Sequence, residues 1–269
     1  MKTAVIVTTY NRPDALAAVL AGYLAQSVQS FELLVADDGS TDTTRKVVDD
    51  FRSRAPFPVH HVWHEDRGFR AAAIRNRALA ATHADYIVFS DGDCVPPADF
   101  VARHQALAER GWFVAGNRVL LNQSFTQRAL AAALPLHRYG TLDWLAAWCK
   151  RDVNRLLPLL RLGDGDWRHA APQRWEGVKT CNLAAWRDDL ARINGLDESY
   201  SGWGLEDSDL VIRLTHAGVK HKNGRFATPV FHLWHADNDR SRLAANRRRL
   251  DAILQSDRVR AESGLDQYA

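Results

Sequence analysis

The chain predicts an α/β fold built on a mostly parallel, doubly wound sheet with helices on both faces and a helical C-terminal extension. Three observations carry that expectation. Short apolar, β-branched runs alternate with helical segments through the first half. Several of those runs are apolar at every position, as strands buried on both faces require. Two of them end directly in paired acids, and ligands of such sheets gather at the carboxyl ends of strands. With 269 residues, 46% hydrophobic and 25% charged, the chain suits one α/β domain, taken here as 1–269.

Taken in order, Ala4-Val5-Ile6-Val7-Thr8 is a strand. Asn11-Arg12-Pro13 then opens a helix, with Asn11 as the expected cap, Pro13 in the first turn, and Leu16, Val19, Leu20, Tyr23 and Leu24 at helical spacing. Residues 31–36 form the second strand, ending in Asp37-Asp38-Gly39-Ser40-Thr41-Asp42. A helix over 43–51, a strand over 59–62 and an alanine-rich helix over 70–81 follow. The fourth strand, Tyr86-Ile87-Val88-Phe89-Ser90, runs into Asp91-Gly92-Asp93. Pro96-Pro97 introduce a helix over 98–109, and a strand over 113–115 ends at Gly116.

The second half is less regular. Helices are expected over 125–134 and 142–157, the latter stopped by Pro158, then a polar loop over 161–176. A strand over 180–184, a short helix over 187–193, a helix from Leu205 to Ala217, a strand end over 230–235 and a basic helix over 240–257 complete the reading.

Composition narrows the function. Thirty-five basic against 32 acidic residues give a net charge of +3, too slight to imply a nucleic-acid partner. Cys94, Cys149 and Cys181 form no C-x-x-C pair, which argues for a reducing compartment and against a disulfide framework. No apolar run approaches a bilayer span and Met1-Lys2 lead straight into a strand, so a cytoplasmic protein is expected.

Two carboxylates at one strand end repel unless a positive charge accompanies them, so Asp91 and Asp93 point to a divalent cation, with Gly92 letting the backbone turn between them. The alternative is a turn whose acids cap the next helix. Asp38 suits a nucleobase imide or a ribose hydroxyl, or else serves its own turn. No G-x-G-x-x-G follows the first strand and no Walker lysine motif is present. Any phosphate is therefore gripped by metal and arginine, with Arg12 and Arg70 placed ahead of Arg75 and Arg77. His232 and His235, three apart at a strand end, are candidate metal ligands. His60, His61 and His64 are expected at the surface. In Gly202-Trp203-Gly204-Leu205-Glu206-Asp207-Ser208-Asp209, glycines on either side let an indole project as a platform for a sugar face. The acids behind it sit at a helix N-terminus, where a carboxylate stays ionised and can act as a general base.

Together these segments resemble the inverting glycosyltransferases of family 2, whose nucleotide-sugar-binding, Rossmann-like α/β fold is called GT-A. The resemblance rests on Thr8-Thr9-Tyr10-Asn11-Arg12-Pro13, Asp37 to Asp42, Gly68-Phe69-Arg70 with Arg75-Asn76, and Asp91-Gly92-Asp93. Gly202 to Asp209 is similar to the acceptor motif of β-1,4-galactosyltransferases. The resemblance implies that residues 1–117 bind the nucleotide sugar through Thr9, Tyr10, Arg12, Asp38, Arg70, Asn76, Asp91 and Gly92, and that 118–269 bind the acceptor through Trp203, Gly204, Glu206 and Asp207. It makes Asp93 and His235 ligands of Mn2+ (or Mg2+). His232 stands where the galactosyltransferases have a methionine ligand. Asp207 becomes the catalytic base of a single inverting displacement, from a UDP-sugar to a saccharide or lipid-linked saccharide, in bacterial cell-surface polysaccharide or lipopolysaccharide synthesis. Two rivals remain: a sugar-phosphate nucleotidyltransferase, which would want a glycine-rich phosphate loop, and a non-catalytic carbohydrate-binding scaffold, which would need no base. Residues 142–162 and the basic C-terminal helix either pack on the fold or touch the inner membrane.

Overall fold

The computed structural model describes residues 1–268. In chain order its elements are β1 Thr3–Thr9, α1 Pro13–Leu24, β2 Glu32–Asp37, α2 Asp42–Arg52, β3 Val59–Trp63, α3 Ala71–Ala80, β4 Tyr86–Asp91, β5 Cys94–Val95, α4 Phe100–Leu107, β6 Trp112–Ala115 and β7 Asn117–Leu120. The second half adds α5 Gln123–Ala131, α6 Thr141–Cys149, β8 Asn182–Trp186, α7 Arg187–Arg192, α8 Glu206–His216, β9 Lys220–Asn223, β10 Pro229–His232 and α9 Leu243–Leu254.

A seven-stranded sheet in the order β3-β2-β1-β4-β8-β6-β9 forms the centre. It is mostly parallel, as expected; β8 alone runs antiparallel, against both β4 and β6. Because β8 comes from the second half of the chain and lies between two strands of the first, the sheet interleaves the two halves. Successive residues of the central strands face opposite sides. Val5, Val7, Leu33, Val35 and Val88 pack with α1, α2 and α4. Ala4, Ile6, Leu34, Ala36, Ile87 and Phe89 pack with α3 and α8. Each such Val, Leu, Ile or Phe removed from water contributes roughly 1.5–3 kcal/mol, which is why these runs carry no polar alternation.

Register then decides the function. Thr9 pairs with Asp37 and Thr8 with Asp91, so the acids of β2 and β4 emerge at one edge of the sheet beside the end of β1. A second sheet, β5-β10-β7, was not legible in the sequence. It pairs His232 with Cys94, and the Leu233 N–H donates to the Asp93 carbonyl at 2.9 Å, which carries the histidine strand to the acids.

Several local expectations change. Asn11 does not cap α1; it adopts φ +46°, and its side chain instead accepts from the Thr41 N–H at 3.0 Å, tying the first loop to the start of α2. The helix expected over 142–157 stops at Cys149. There Arg151 takes a left-handed φ of +60°, and the chain returns to satisfy β7, with Asn154 N–H donating to the Leu120 carbonyl and Asn122 N–H to that of Asp152. Unpaired strand groups outweigh helix propensity there. Pro158 lies in a separate 3-10 turn, Leu157–Leu159. The strand expected over 180–184 begins two residues later, at Asn182. Among the described residues no helix is long and apolar enough to cross a membrane.

Candidate active site

The loop after β4 is built around Gly92. Its N–H donates to the Thr8 carbonyl at 2.7 Å, and a Cβ there would meet the Thr9 side chain at 2.9 Å. Glycine is thus required by close approach to β1, not by a left-handed turn. Asp91 and Asp93 leave this loop towards different partners.

Asp93 faces three nitrogens. His235 Nε2 lies 3.6 Å away, and His232 Nε2 and Arg12 Nη1 each 3.7 Å. A carbonyl can only accept, so His235 Nδ1 donates to that of Ala236 at 2.7 Å, which leaves Nε2 as the ring nitrogen facing Asp93. Burial keeps His232 neutral by lowering its pKa. One carboxylate and two imidazoles are a donor set that suits a manganese-like ion better than magnesium. Cys94 Sγ lies within 4.8 Å of the Asp93 and His232 ligand atoms, a grouping that does not include His235, but burial holds it as a thiol, a poor ligand.

Asp91 faces Arg75. The guanidinium, with 5% of its side chain exposed, donates to Asp91 Oδ1 at 2.9 Å and to the Thr8 hydroxyl at 2.9 Å, and stands 3.7 Å from Glu206. Burial opposes its charge, but Asp91, Asp207 and Glu206 more than offset this and hold it ionised. Arg75 among three acids, with Lys179 only at the far side of Asp207, leaves negative charge in excess. Burial, with Asp207 next to it, pushes Glu206 up to about 7; burial, Asp93 and Asp207 push Asp91 up to about 6 against the pull of Arg75. Arg75 is thus the hub of the site. Sequence ranked it below Arg12 and Arg70, since an arginine in an alanine-rich helix carries no signal of where its tip ends.

Asp207 belongs to α8. Leu205, the residue preceding the helix, has φ +78°, with Gly202 at +69° and Gly204 at +106°, so the chain enters through a left-handed turn. Asn246 of α9, almost fully buried, donates to the carbonyls of Ser201 and Gly204 and clamps that turn. Asp207 accepts from the Thr180 hydroxyl at 2.5 Å, with the Lys179 ammonium 4.0 Å from its other oxygen. Its side chain is 15% exposed, so it can be approached. Of the three acids opening α8, Asp209 is structural: it is wholly buried and pairs with Arg213 at 2.7 Å. Trp203 is half-buried outside the hydrophobic clusters, and the Arg240 guanidinium lies 5.3 Å from its ring centre.

At the end of β2, Asp38 is buried and held on both oxygens, by His64 Nε2 at 2.6 Å and the Arg70 N–H at 2.8 Å; burial raises its pKa. His61 similarly meets Asp37 at 2.9 Å. His61 and His64 are therefore not the surface residues expected; the parallel register brings the end of β3 against the end of β2. Exposed Tyr10 donates to Asp66 at 2.9 Å. Among the described residues, buried Nη1 of Arg12 and Nε of Arg70 make no hydrogen bond, although the former stands 3.7 Å from Asp93. Asn76 is the clear departure. It is fully buried, its NH2 donating to Leu196 and Glu198 and its oxygen accepting from the Leu196 N–H, so it braces α3 and has no group left for a nucleotide.

Residues 4–158 match the family described as glycosyl transferase family 2, and residues 169–236 match the N-terminal domain of galactosyltransferase. The chain is 31% identical to validoxylamine A glucosyltransferase of Streptomyces hygroscopicus subsp. limoneus, covering 80% of this chain and 48% of that one. It is 26% identical to chondroitin synthase of Escherichia coli, covering 80% and 32%. The chain thus spans half or less of the length of these relatives. Among solved structures, S. aureus TarS 1–349 in complex with UDP superposes with a TM-score of 0.63 at 14% identity, over 100% of this chain and 68% of that one. A mannosyltransferase from Pyrobaculum calidifontis in complex with GDP-Man and Mn2+ gives 0.57 at 19%, over 86% and 56%. These likenesses establish the fold as GT-A.

Proposed function

The chain belongs to glycosyl transferase family 2, and we propose that it moves a sugar from a nucleoside-diphosphate sugar, UDP foremost, to a hydroxyl of a saccharide or lipid-linked saccharide, with inversion. One observation carries the reading: the Arg75 guanidinium pairs with Asp91 at 2.9 Å and stands 3.7 Å from Glu206, which brings the acids after β4 next to those that open α8.

Asp38, Tyr10, Thr9 and the loop at Gly92 would hold the nucleoside, and Arg12 and Arg70 the diphosphate. Asp93, His235 and His232 would hold Mn2+ (or Mg2+), which when bound offsets the charge on the departing diphosphate. Thr180 fixes Asp207 so that its free oxygen meets the acceptor hydroxyl. Asp207 takes that proton as the hydroxyl oxygen forms its bond to the anomeric carbon, and the bond from that carbon to the diphosphate breaks. Trp203, Gly204 and Glu206 line the acceptor side. Glu206, near neutrality at its titration point, can donate to an acceptor oxygen while Asp207 accepts. A nucleotidyltransferase would need no base at Asp207, and a scaffold would need none at all.

We also place the protein at the cytoplasmic face of the inner membrane, in cell-surface glycan synthesis. Leu142, Leu145, Trp148, Leu157, Leu160 and Leu162 are each more than 40% exposed, beside Lys150 and Arg151, a pattern suited to an anionic bilayer. Sedimentation with anionic vesicles tests this; a protein that stays in the supernatant ends it. The transfer reading is tested by a screen of UDP-, GDP- and CMP-sugars with manganese and mixed saccharide acceptors, following nucleotide release. A UDP-sugar should respond, and only with manganese or magnesium; no release from any donor would refute it.

A further inference from the structure

Beside Asp207 a cleft of about 340 Å³ opens between the β6–β7 turn, the end of β9 and the segment 174–182. Its walls carry Arg118, Arg155, Arg174, Lys179 and Arg225, against one acid, Glu176. Elsewhere arginines such as Arg52, Arg67, Arg103, Arg110 and Arg128 sit within 3.1 Å of a carboxylate. Among the described residues, none of the four cleft arginines has a carboxylate within 4.0 Å, and Lys179 meets only Asp207, at that limit. Clustered guanidiniums repel one another, and a net charge of +3 does not by itself gather five cations in one hollow. Arg155 is held in the cluster by donating to the Arg118 carbonyl at 3.0 Å. Asn117, also on the wall, has its buried amide oxygen without a donor, as a hydroxyl-bearing ligand would supply.

Position assigns the ligand. Lys179 lines the cleft and reaches Asp207, and the adjacent Thr180 holds that carboxylate. The nucleoside end, Asp38 and Tyr10, lies at the ends of β1 and β2 instead. We propose that this cleft is the subsite for an anionic group on the acceptor, a carboxylate or a phosphodiester, which the arginines grip while a neighbouring hydroxyl meets Asp207. The proposal rests on Asp207 acting at the acceptor side. Bidentate guanidinium contacts suit both anions, so the cleft selects acidic glycans over neutral ones.

The test is calorimetric titration of the UDP- and manganese-saturated protein with three probes: cellobiose, its uronic-acid-terminated counterpart, and a glycerol phosphodiester dimer. At least one anionic probe should bind ten times tighter than cellobiose, and which one does identifies the source of the anion. The triple variant Arg155→Gln/Arg174→Gln/Arg225→Gln, in exposed positions, should erase that preference, whereas Arg247→Gln/Arg248→Gln on α9 should keep it. The preference should also weaken as salt is raised. Equal binding of all three probes overturns the proposal, as does a preference that survives the triple variant. An anionic probe that displaces UDP also overturns it, since the cleft would then belong to the donor. Failure of the protein to bind UDP would instead count against the transfer reading, and the probe preference would still be read without nucleotide.

Discussion

Replacing Arg75 with Met removes the only cation among the described residues within ion-pair reach of Asp91 and Glu206 while keeping most of its volume. The loss should depend on pH in a direction the site dictates. An ordinary glutamate titrates near 4.5, whereas Glu206 titrates at about 7. The folded protein therefore holds that proton more tightly than the unfolded chain. Stability linked to Glu206 is complete below about 4.5 and is lost as pH rises through about 7. Arg75 limits this loss by compensating the ionised forms. Without it, Glu206 and Asp91 stand buried and uncompensated at pH 8, where breaking a buried pair costs roughly 3–5 kcal/mol. At pH 5 both acids can take up a proton, and the penalty should fall to about 1–2 kcal/mol, the scale of the lost hydrogen bond to Thr8. Urea denaturation of both proteins at the two pH values reads the difference directly. Equal destabilisation at pH 5 and pH 8 would refute the role of Arg75 as counter-charge.

Other consequences follow from single contacts. Gly92→Ala drives a methyl to within 2.9 Å of Thr9 and should lose about 1–3 kcal/mol in the same assay, as overpacking does; a change below about 0.5 kcal/mol would mean the loop can move away from β1. Asn246→Ala releases the Gly204 turn from α9 and should raise the acceptor KM more than the donor KM, with roughly 1–3 kcal/mol lost in stability. Identical donor and acceptor effects would make Asn246 a brace for the fold alone.

Much of the sheet was legible because its central strands lie buried on both faces and say so in uninterrupted apolar runs. The site acids were legible for a related reason: Asp37-Asp38 and Asp91-Gly92-Asp93 follow those runs immediately, so strand position fixes where they emerge. What stayed hidden depends on packing between distant segments. β8 is five residues long and enters the sheet backwards; nothing local marks its partner. Arg75 and Asn76 are neighbours on α3, yet one points to the acids and the other to the loop after α7, a difference of rotation about the helix axis that alanine-rich sequence does not encode. His64 is far from Asp38 in sequence and adjacent to it only through the register of β3 on β2.

The central claim is a division of labour within one cleft: Asp93 serves the nucleotide end, and Asp207 takes the proton from the acceptor. It is tested most directly by comparing Asp207→Asn with Asp93→Ala, measuring sugar transfer alongside manganese-dependent UDP binding. Transfer should fall by on the order of 10²-fold or more in both, while UDP affinity falls only in Asp93→Ala. An Asp207→Asn protein that transfers sugar at the wild-type rate, or that loses UDP as Asp93→Ala does, would contradict it.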